Sequence, residues 1–126
     1  LSRKTIKFTI PSIPPSVNHA YFTTKWGGRV LTKKGKDFKK LVSEIQANDK
    51  IEGKIKAEYQ LNYGDKRKRD IGNSEKVISD ALEGIYFDDD NQIDILILRR
   101  LYGPKNPYIN VILTEIENGD FRDHNT

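Results

Sequence analysis

Lys54-Ile55-Lys56-Ala57-Glu58-Tyr59-Gln60-Leu61-Asn62-Tyr63 alternates apolar and polar residues as far as Leu61, the period of two expected of a half-buried strand. From Asn73 to Gly84 the period changes. With Asn73 set at zero and about 100° per residue, Val77, Ile78, Ala81, Leu82 and Ile85 fall between about 40° and 180°. Lys76, Asp80 and Glu83 fall between about 280° and 340°, so an apolar stripe opposes a polar one. This segment is predicted to be a helix, with Asn73 as its N-cap and Gly84 as its stop. Ile93 to Leu98 is nearly all apolar and rich in β-branched residues, which predicts a strand buried on both faces.

Outward from this centre the same two periods recur. Arg3 to Ile10 carries Ile6, Phe8 and Ile10 on one face and predicts a strand that Pro11 ends. Pro11-Ser12-Ile13-Pro14-Pro15-Ser16-Val17-Asn18 reads as a loop, because its prolines lack backbone donors and have fixed φ. Tyr21 to Leu31, with Lys25-Trp26-Gly27-Gly28-Arg29 as a turn, predicts a short hairpin. Thr32 then opens a helix whose apolar positions Phe38, Leu41, Val42 and Ile45 predict a run from Lys36 to Ile51. A last strand is expected from Tyr108 to Leu113, and a frayed tail from Glu117. The expected fold is a single α/β (α+β) domain over residues 1–126, a mixed sheet flanked by helices.

Composition narrows the chemistry. Cysteine is absent, which excludes disulfides, thiolate metal sites and thiol nucleophiles within this chain, so a metal here would be hard and oxygen-bound. Methionine is absent even at position 1, as expected of a trimmed version of a longer reading frame. No apolar run approaches the roughly 20 residues of a membrane span, and the expectation is a cytoplasmic protein with no membrane partner. The net charge of +4 favours an anionic partner, and its distribution says more than its size. Bases gather at Lys33-Lys34-Gly35-Lys36 and at Lys66-Arg67-Lys68-Arg69, acids between Asp88 and Asp94. Cations set against carboxylates suit a metal-dependent enzyme acting on a phosphate backbone.

Other chemistries fail on spacing. Asp88-x-Asp90-x-Gln92 imitates the start of a calcium loop, but Ile93 stands where that loop needs Gly and Arg99 where it needs Glu. Gly27-Gly28 has neither the Lys-Ser/Thr ending of a phosphate loop nor dinucleotide spacing, so no nucleotide cofactor is expected. Neither His19 nor His124 has a partnered serine in an elbow context.

Four separated segments carry a more specific signal: Pro14-Pro15-Ser16-Val17-Asn18, Lys68-Arg69-Asp70-Ile71-Gly72-Asn73-Ser74-Glu75-Lys76, Asp80-Ala81-Leu82 and Asp89-Asp90-Asn91-Gln92-Ile93. In this order and spacing, over nearly the whole chain, they resemble the successive motifs of the RusA family of Holliday junction resolvases. The resemblance implies a Mg²⁺-dependent endonuclease, with Mn²⁺ as a substitute, usually encoded by a phage or prophage. It implies a homodimer that makes paired symmetric nicks in four-way junction DNA during recombination and repair. Asp70 matches the first metal-binding carboxylate, Asn73 the following polar residue, and Lys76 the essential base one turn on. Asp90 matches the late catalytic carboxylate, with Asp89 a second candidate ligand and Asn18 in the segment near the site.

A divalent ion between Asp70 and Asp90 would activate water and offset charge building at phosphorus, with Lys76 acting on the same oxygens. Asn73 either orients water or only caps its helix, and Lys76 either acts in catalysis or only pairs with Asp80. Lys33, Lys34, Lys36, Lys66, Arg67, Lys68 and Arg69 are expected on phosphates, which makes binding salt-sensitive. Phe22, Trp26, Tyr86 or Phe87 is a candidate wedge for the opened junction centre.

One position departs from the family pattern: Gly72 stands where a second Asp is expected, and removes a ligand. An engineered inactive variant, a natural member compensated by Asp88 or Asp89, and a member that binds without cutting all fit. A small RNA-binding or ribosome-associated protein would need only the basic surface and would give the acids no role.

Overall fold

The computed structural model of the protein describes residues 3–45 and 49–117. Thr5–Ile10 (β1) leads through the proline segment to a short helix, Val17–Ala20 (α1). Tyr21–Thr23 (β2) and Arg29–Leu31 (β3) form the expected hairpin, and Lys33–Ser43 (α2) follows. Then come Lys54–Asn62 (β4), Gly72–Leu82 (α3), Ile93–Leu101 (β5) and Tyr108–Ile116 (β6).

Four strands make one mixed sheet in the order β1-β6-β4-β5, with β6 antiparallel to both neighbours and β4 parallel to β5. Parallel neighbours oblige the chain to return from one end of the sheet to the other, and α3 lies on that crossover. The alternation of β4 turns Ile55, Ala57, Tyr59 and Leu61 onto one buried face with Ile109, Val111 and Leu113 of β6. Val77, Ile78, Ala81 and Leu82 of α3 and Phe38 and Val42 of α2 belong to the same core, as the apolar stripes require. Two buried hydroxyl contacts fix α3 on the sheet: Tyr59 Oη lies 2.8 Å from Ser79 Oγ, and Tyr63 Oη 2.8 Å from Ser74 Oγ. The later tyrosine, one residue past the end of β4, meets the earlier serine of α3, so helix and strand run in opposite directions. Among the described residues no helix is long and apolar enough to cross a membrane.

Four sequence expectations need correction, the first being the loop read from Pro11 to Asn18, which turns helical at Val17. The helix after Thr32 does begin there, with Thr32 Oγ1 accepting from the Gly35 N–H at 3.2 Å, but it ends at Ser43 and not at Ile51. Ile51 N–H donates to the Tyr86 carbonyl and Ile51 O accepts from Gln92 Nε2, each at 2.9 Å, so tertiary pairing takes the backbone a longer helix would use. Residues 46–48 lie outside the described residues. β5 is not buried on both faces; it is an edge strand, and Leu96 is 40% exposed. A run of β-branched residues signals strand but not position in the sheet. β6 extends to Ile116, and beyond Glu117 the expected frayed tail lies outside the described residues.

Candidate active site

α3 carries one acidic locus at each end. At its start, Asp70 Oδ1 accepts the Gly72 N–H at 3.0 Å, and Asp70 O accepts the Asn73 N–H at 3.1 Å. Asn73 is therefore not the N-cap: Ile71 holds that position in helical backbone, and the Asp70 carboxylate takes an orphan donor of the first turn. The Asn73 side chain is left to face a cavity of about 180 Å³, lined also by Ile13, Pro14, Ser16, Tyr63, Arg69, Asp70 and Ser74. The first and second sequence motifs thus meet around Asp70. Asn18 sits exposed on α1, outside that lining.

The basic loop before Asp70 is organised by an acid. Asp65 pairs with Arg69 at 2.5 Å, and the Arg69 guanidinium holds the Asp65 carboxyl below its ordinary range. Arg69 also lies 4.6 Å from the Tyr63 ring centroid, and Arg100 lies 5.1 Å from it. Arg100 Nη2 donates to Asp65 O at 3.1 Å, which ties the loop to the end of β5. Arg69 is consequently a structural cation first, whereas Lys66, Arg67 and Lys68 are exposed and in no ion pair among the described residues. Sequence reasoning missed Arg100, because nothing in a strand pattern marks one arginine as the loop's tether. Gly64 starts the loop at φ +77°, and a Cβ there would stand 2.2 Å from the Lys105 carbonyl oxygen. Gly64→Ala should lower stability by roughly 2–3 kcal/mol and loosen the loop, read as a drop in the urea midpoint.

At the far end of α3, carboxylate oxygens of Glu83, Asp89 and Asp90 all lie within 4.8 Å of one another. The chain turns at Gly84, φ +85°, and Asp90 N–H donates to Glu83 Oε1 at 2.9 Å. Asp89 caps the 3₁₀ turn Asp90–Gln92 by accepting from Asn91 N–H at 2.9 Å. Gln92 Oε1 accepts from the N–H groups of Asp88 and Asp89, and its Nε2 donates to Ile51 O and Gly53 O, so the acidic turn is pinned to the segment before β4. Asp88 pairs with Lys50, and Asp94 with Lys54 at 3.5 Å, whereas the side-chain carboxylates of Glu83, Asp89 and Asp90 are in no ion pair among the described residues. Three close, uncompensated oxygen donors with no nitrogen or sulfur among them suit a hard divalent cation such as Mg²⁺ or Mn²⁺. Glu83 was not among the sequence candidates. Its signal was its place on the polar stripe immediately before the Gly84 turn.

The eleven residues of α3 separate the two loci by about 16 Å. One chain therefore does not bring Asp70 to Asp90. Between them, Lys76 Nζ lies 3.6 Å from Asp80 Oδ2, a loose and half-exposed pair that leaves the ammonium accessible. Asp80 also accepts from the Tyr21 hydroxyl, whose pKa is pushed up first by burial and then by this bond. Lys39 Nζ donates to the carbonyls of Asp80 and Glu83, each at 3.1 Å, and complements the negative end of the α3 dipole. Lys33 pairs with Asp37 at 3.2 Å, while Lys34 and Lys36 are exposed and unpaired among the described residues. Of the wedge candidates, Tyr86 and Phe87 are fully buried and are excluded; Phe22 and Trp26 are exposed. The buried pair follows α3 so closely that its rings close the core, Tyr86 stacking on Phe8 at 4.6 Å.

Comparison with known families gives one finding: residues 11–114 match the RusA family, described as endodeoxyribonuclease RusA. No curated protein is similar enough to count as a match.

Proposed function

This chain belongs to the RusA endodeoxyribonuclease family, and on that premise we propose that it is a Mg²⁺-dependent Holliday junction resolvase that nicks four-way DNA as a homodimer. The observation that carries the proposal is the placement of two acidic loci at opposite ends of α3, too far apart to share an ion within one chain. A second copy resolves this. β5 offers a free edge of nine residues with Ile93, Ile95, Leu96, Ile97 and Leu98 half-buried or exposed, and long apolar edges are normally covered. Two β5 edges paired antiparallel about a two-fold axis set the Ile93 end of one copy beside the Leu101 end of the other. Asp90 and its neighbours precede Ile93, and the Asp65–Asp70 loop is tethered to Arg100. Each of two equivalent sites then draws Asp70 from one copy and Glu83, Asp89 and Asp90 from the other.

These residues would hold Mg²⁺, which when bound supplies Lewis-acid stabilisation of the charge that develops at phosphorus. Lys76 brings its ammonium to the same phosphate oxygens, and Asn73, its amide freed from capping, orients the attacking water from the Asp70 cavity. Water oxygen bonds to phosphorus, the bond to the 3′ oxygen breaks, and the products are a 3′ hydroxyl and a 5′ phosphate. Lys33, Lys34, Lys36, Lys66, Arg67 and Lys68 hold the arms through phosphates. Such a DNA substrate would be met in the cytoplasm of a host cell, and the proposal includes a phage or prophage origin.

The test is a synthetic four-way junction beside a linear duplex of the same sequence. Symmetric nicks in the junction on adding Mg²⁺, and none in the duplex, are the expected result; equal affinity for the duplex would sink the proposal. A second reading rests on Gly72: a member lacking that carboxylate would bind the junction and leave it uncut. The dimer has its own test. Leu96→Lys with Ile97→Lys should halve the mass in sedimentation and abolish nicking while circular dichroism stays native. A double variant that remains dimeric would remove β5 from the interface.

A further inference from the structure

The tip of the β2–β3 hairpin lies outside the site above, which the hairpin meets through the Tyr21–Asp80 bond at its base, and it holds the most exposed aromatic side chain among the described residues. Trp26 at its tip is 87% exposed and Phe22 50%, and Phe22 stands directly opposite Val30, itself 39% exposed, so the two share one face. The tip is ordered. Thr24 N–H donates to Gly28 O at 2.7 Å, Gly27 N–H to Thr24 O at 3.0 Å and Gly28 N–H to Thr24 Oγ1 at 3.0 Å, with Gly27 at φ +85° as the turn demands. At the base, Thr32 N–H donates to Ala20 O at 2.9 Å and Thr32 Oγ1 to His19 O at 2.5 Å. A tip braced in this way presents an indole with little ordering left to lose on binding.

The charged residues of the hairpin itself, Lys25 and Arg29, have one sign. Asp37 is the first acidic residue of the whole chain. Lys25 and Arg29 flank the tip, with Lys25 Nζ 5.8 Å from the indole centroid. Lys33, Lys34 and Lys36 follow at the start of α2, whose first turn has no acid, against the preference of a helix dipole. A nucleic acid answers both features, since phosphates meet the cations and base faces meet the rings. Paired duplex hides those faces, whereas bases unpaired by opening the junction centre present them.

Resting on the reading of the chain as a junction-binding protein, we propose that the β2–β3 hairpin is a base-stacking element: Trp26, backed by Phe22, stacks on an unpaired base while Lys25, Arg29 and Lys34 hold the adjoining phosphates.

Trp26 is the only tryptophan, so its emission reports on this tip alone. A four-way junction and a single-stranded oligonucleotide should quench it, and a blunt duplex at equal phosphate concentration should not. Trp26→Ala should weaken junction binding about tenfold. The factor should be the same at low and high salt, because stacking releases no counterions, and Trp26→Phe should recover most of it. Lys34→Ala should instead make the salt slope shallower. A junction that shifts in a gel with unchanged emission, and Trp26→Ala binding as tightly as the parent, would overturn the hairpin's role and leave the resolvase reading standing. A Trp26→Ala protein of altered mass would assign the hairpin to contact between copies and overturn it too. A parent that shifts no junction would overturn both readings at once.

Discussion

Asp70→Asn and Asp90→Asn chains, each inactive alone, should regain junction nicking when mixed. In the antiparallel dimer proposed above, every site would take Asp70 from one copy and Asp90 from the other. A mixed dimer therefore has one site with both lesions and one with neither. With free exchange about half the dimers are mixed, so about a quarter of the parental sites return, and the product is a single nick and not a pair. Each homodimer should lose on the order of a hundredfold or more in Mg²⁺-dependent nicking, because a carboxamide keeps the shape of the carboxylate and removes the charge that holds the ion. Junction affinity should be unchanged or slightly higher, since a negative charge near phosphate is gone. The measurement is strand-resolved nicking of an end-labelled junction after the two chains are co-refolded. Recovery of nothing, with mixed dimers verified by mass, would mean that the two acids serve separate functions. It would then follow that α3 separates them for a reason unrelated to a shared site.

The α/β outline was legible because α3 and β4 have strict periods, and a buried stripe leaves little freedom in where it packs. Asp70, Lys76, Asp89 and Asp90 were also legible as candidates, from residue type and motif order. What was hidden depends on distance across space. Nothing in the sequence says that Asp70 and Asp90 lie beyond opposite ends of a helix about 16 Å long, or that Glu83 folds back within hydrogen-bond reach of Asp90. The same holds for Asn73, whose capping role was reassigned by a carboxylate three residues earlier. Ile93 to Leu98 misled for a related reason: its residues have the same composition whether a neighbouring strand or a second chain covers them. In each case the local preference was read correctly and a tertiary partner decided its use.

Gly72→Asp should raise Mg²⁺-dependent nicking about tenfold or more. The position is suited to the change: Gly72 is exposed, its φ is not in the left-handed region, and an added Cβ would stand 3.1 Å from Asp70 Oδ1. Asp70 needs to yield only a few tenths of an ångström, and its bond to the Gly72 N–H keeps the two side chains adjacent. A carboxylate there joins those of Asp70 and Glu75 at the start of α3, where the helix dipole also favours negative charge, and replaces a flexible glycine in the first turn. Without a cation the pair repels; with one it becomes a stronger ligand set. Saturating Mg²⁺ should therefore raise the melting temperature of the variant more than that of the parent, because an ion at a hundred times its dissociation constant adds about 2.7 kcal/mol. Gly72→Asn separates charge from backbone stiffening, since it gains the second without the first and should nick as the parent does. If the parent already cuts and the added carboxylate gains nothing, Glu83 and Asp89 already complete the site, because Lys50 occupies Asp88. The glycine would then be a tolerated loss. If only Gly72→Asp cuts, the chain as it stands grips junctions and leaves their cleavage to another protein.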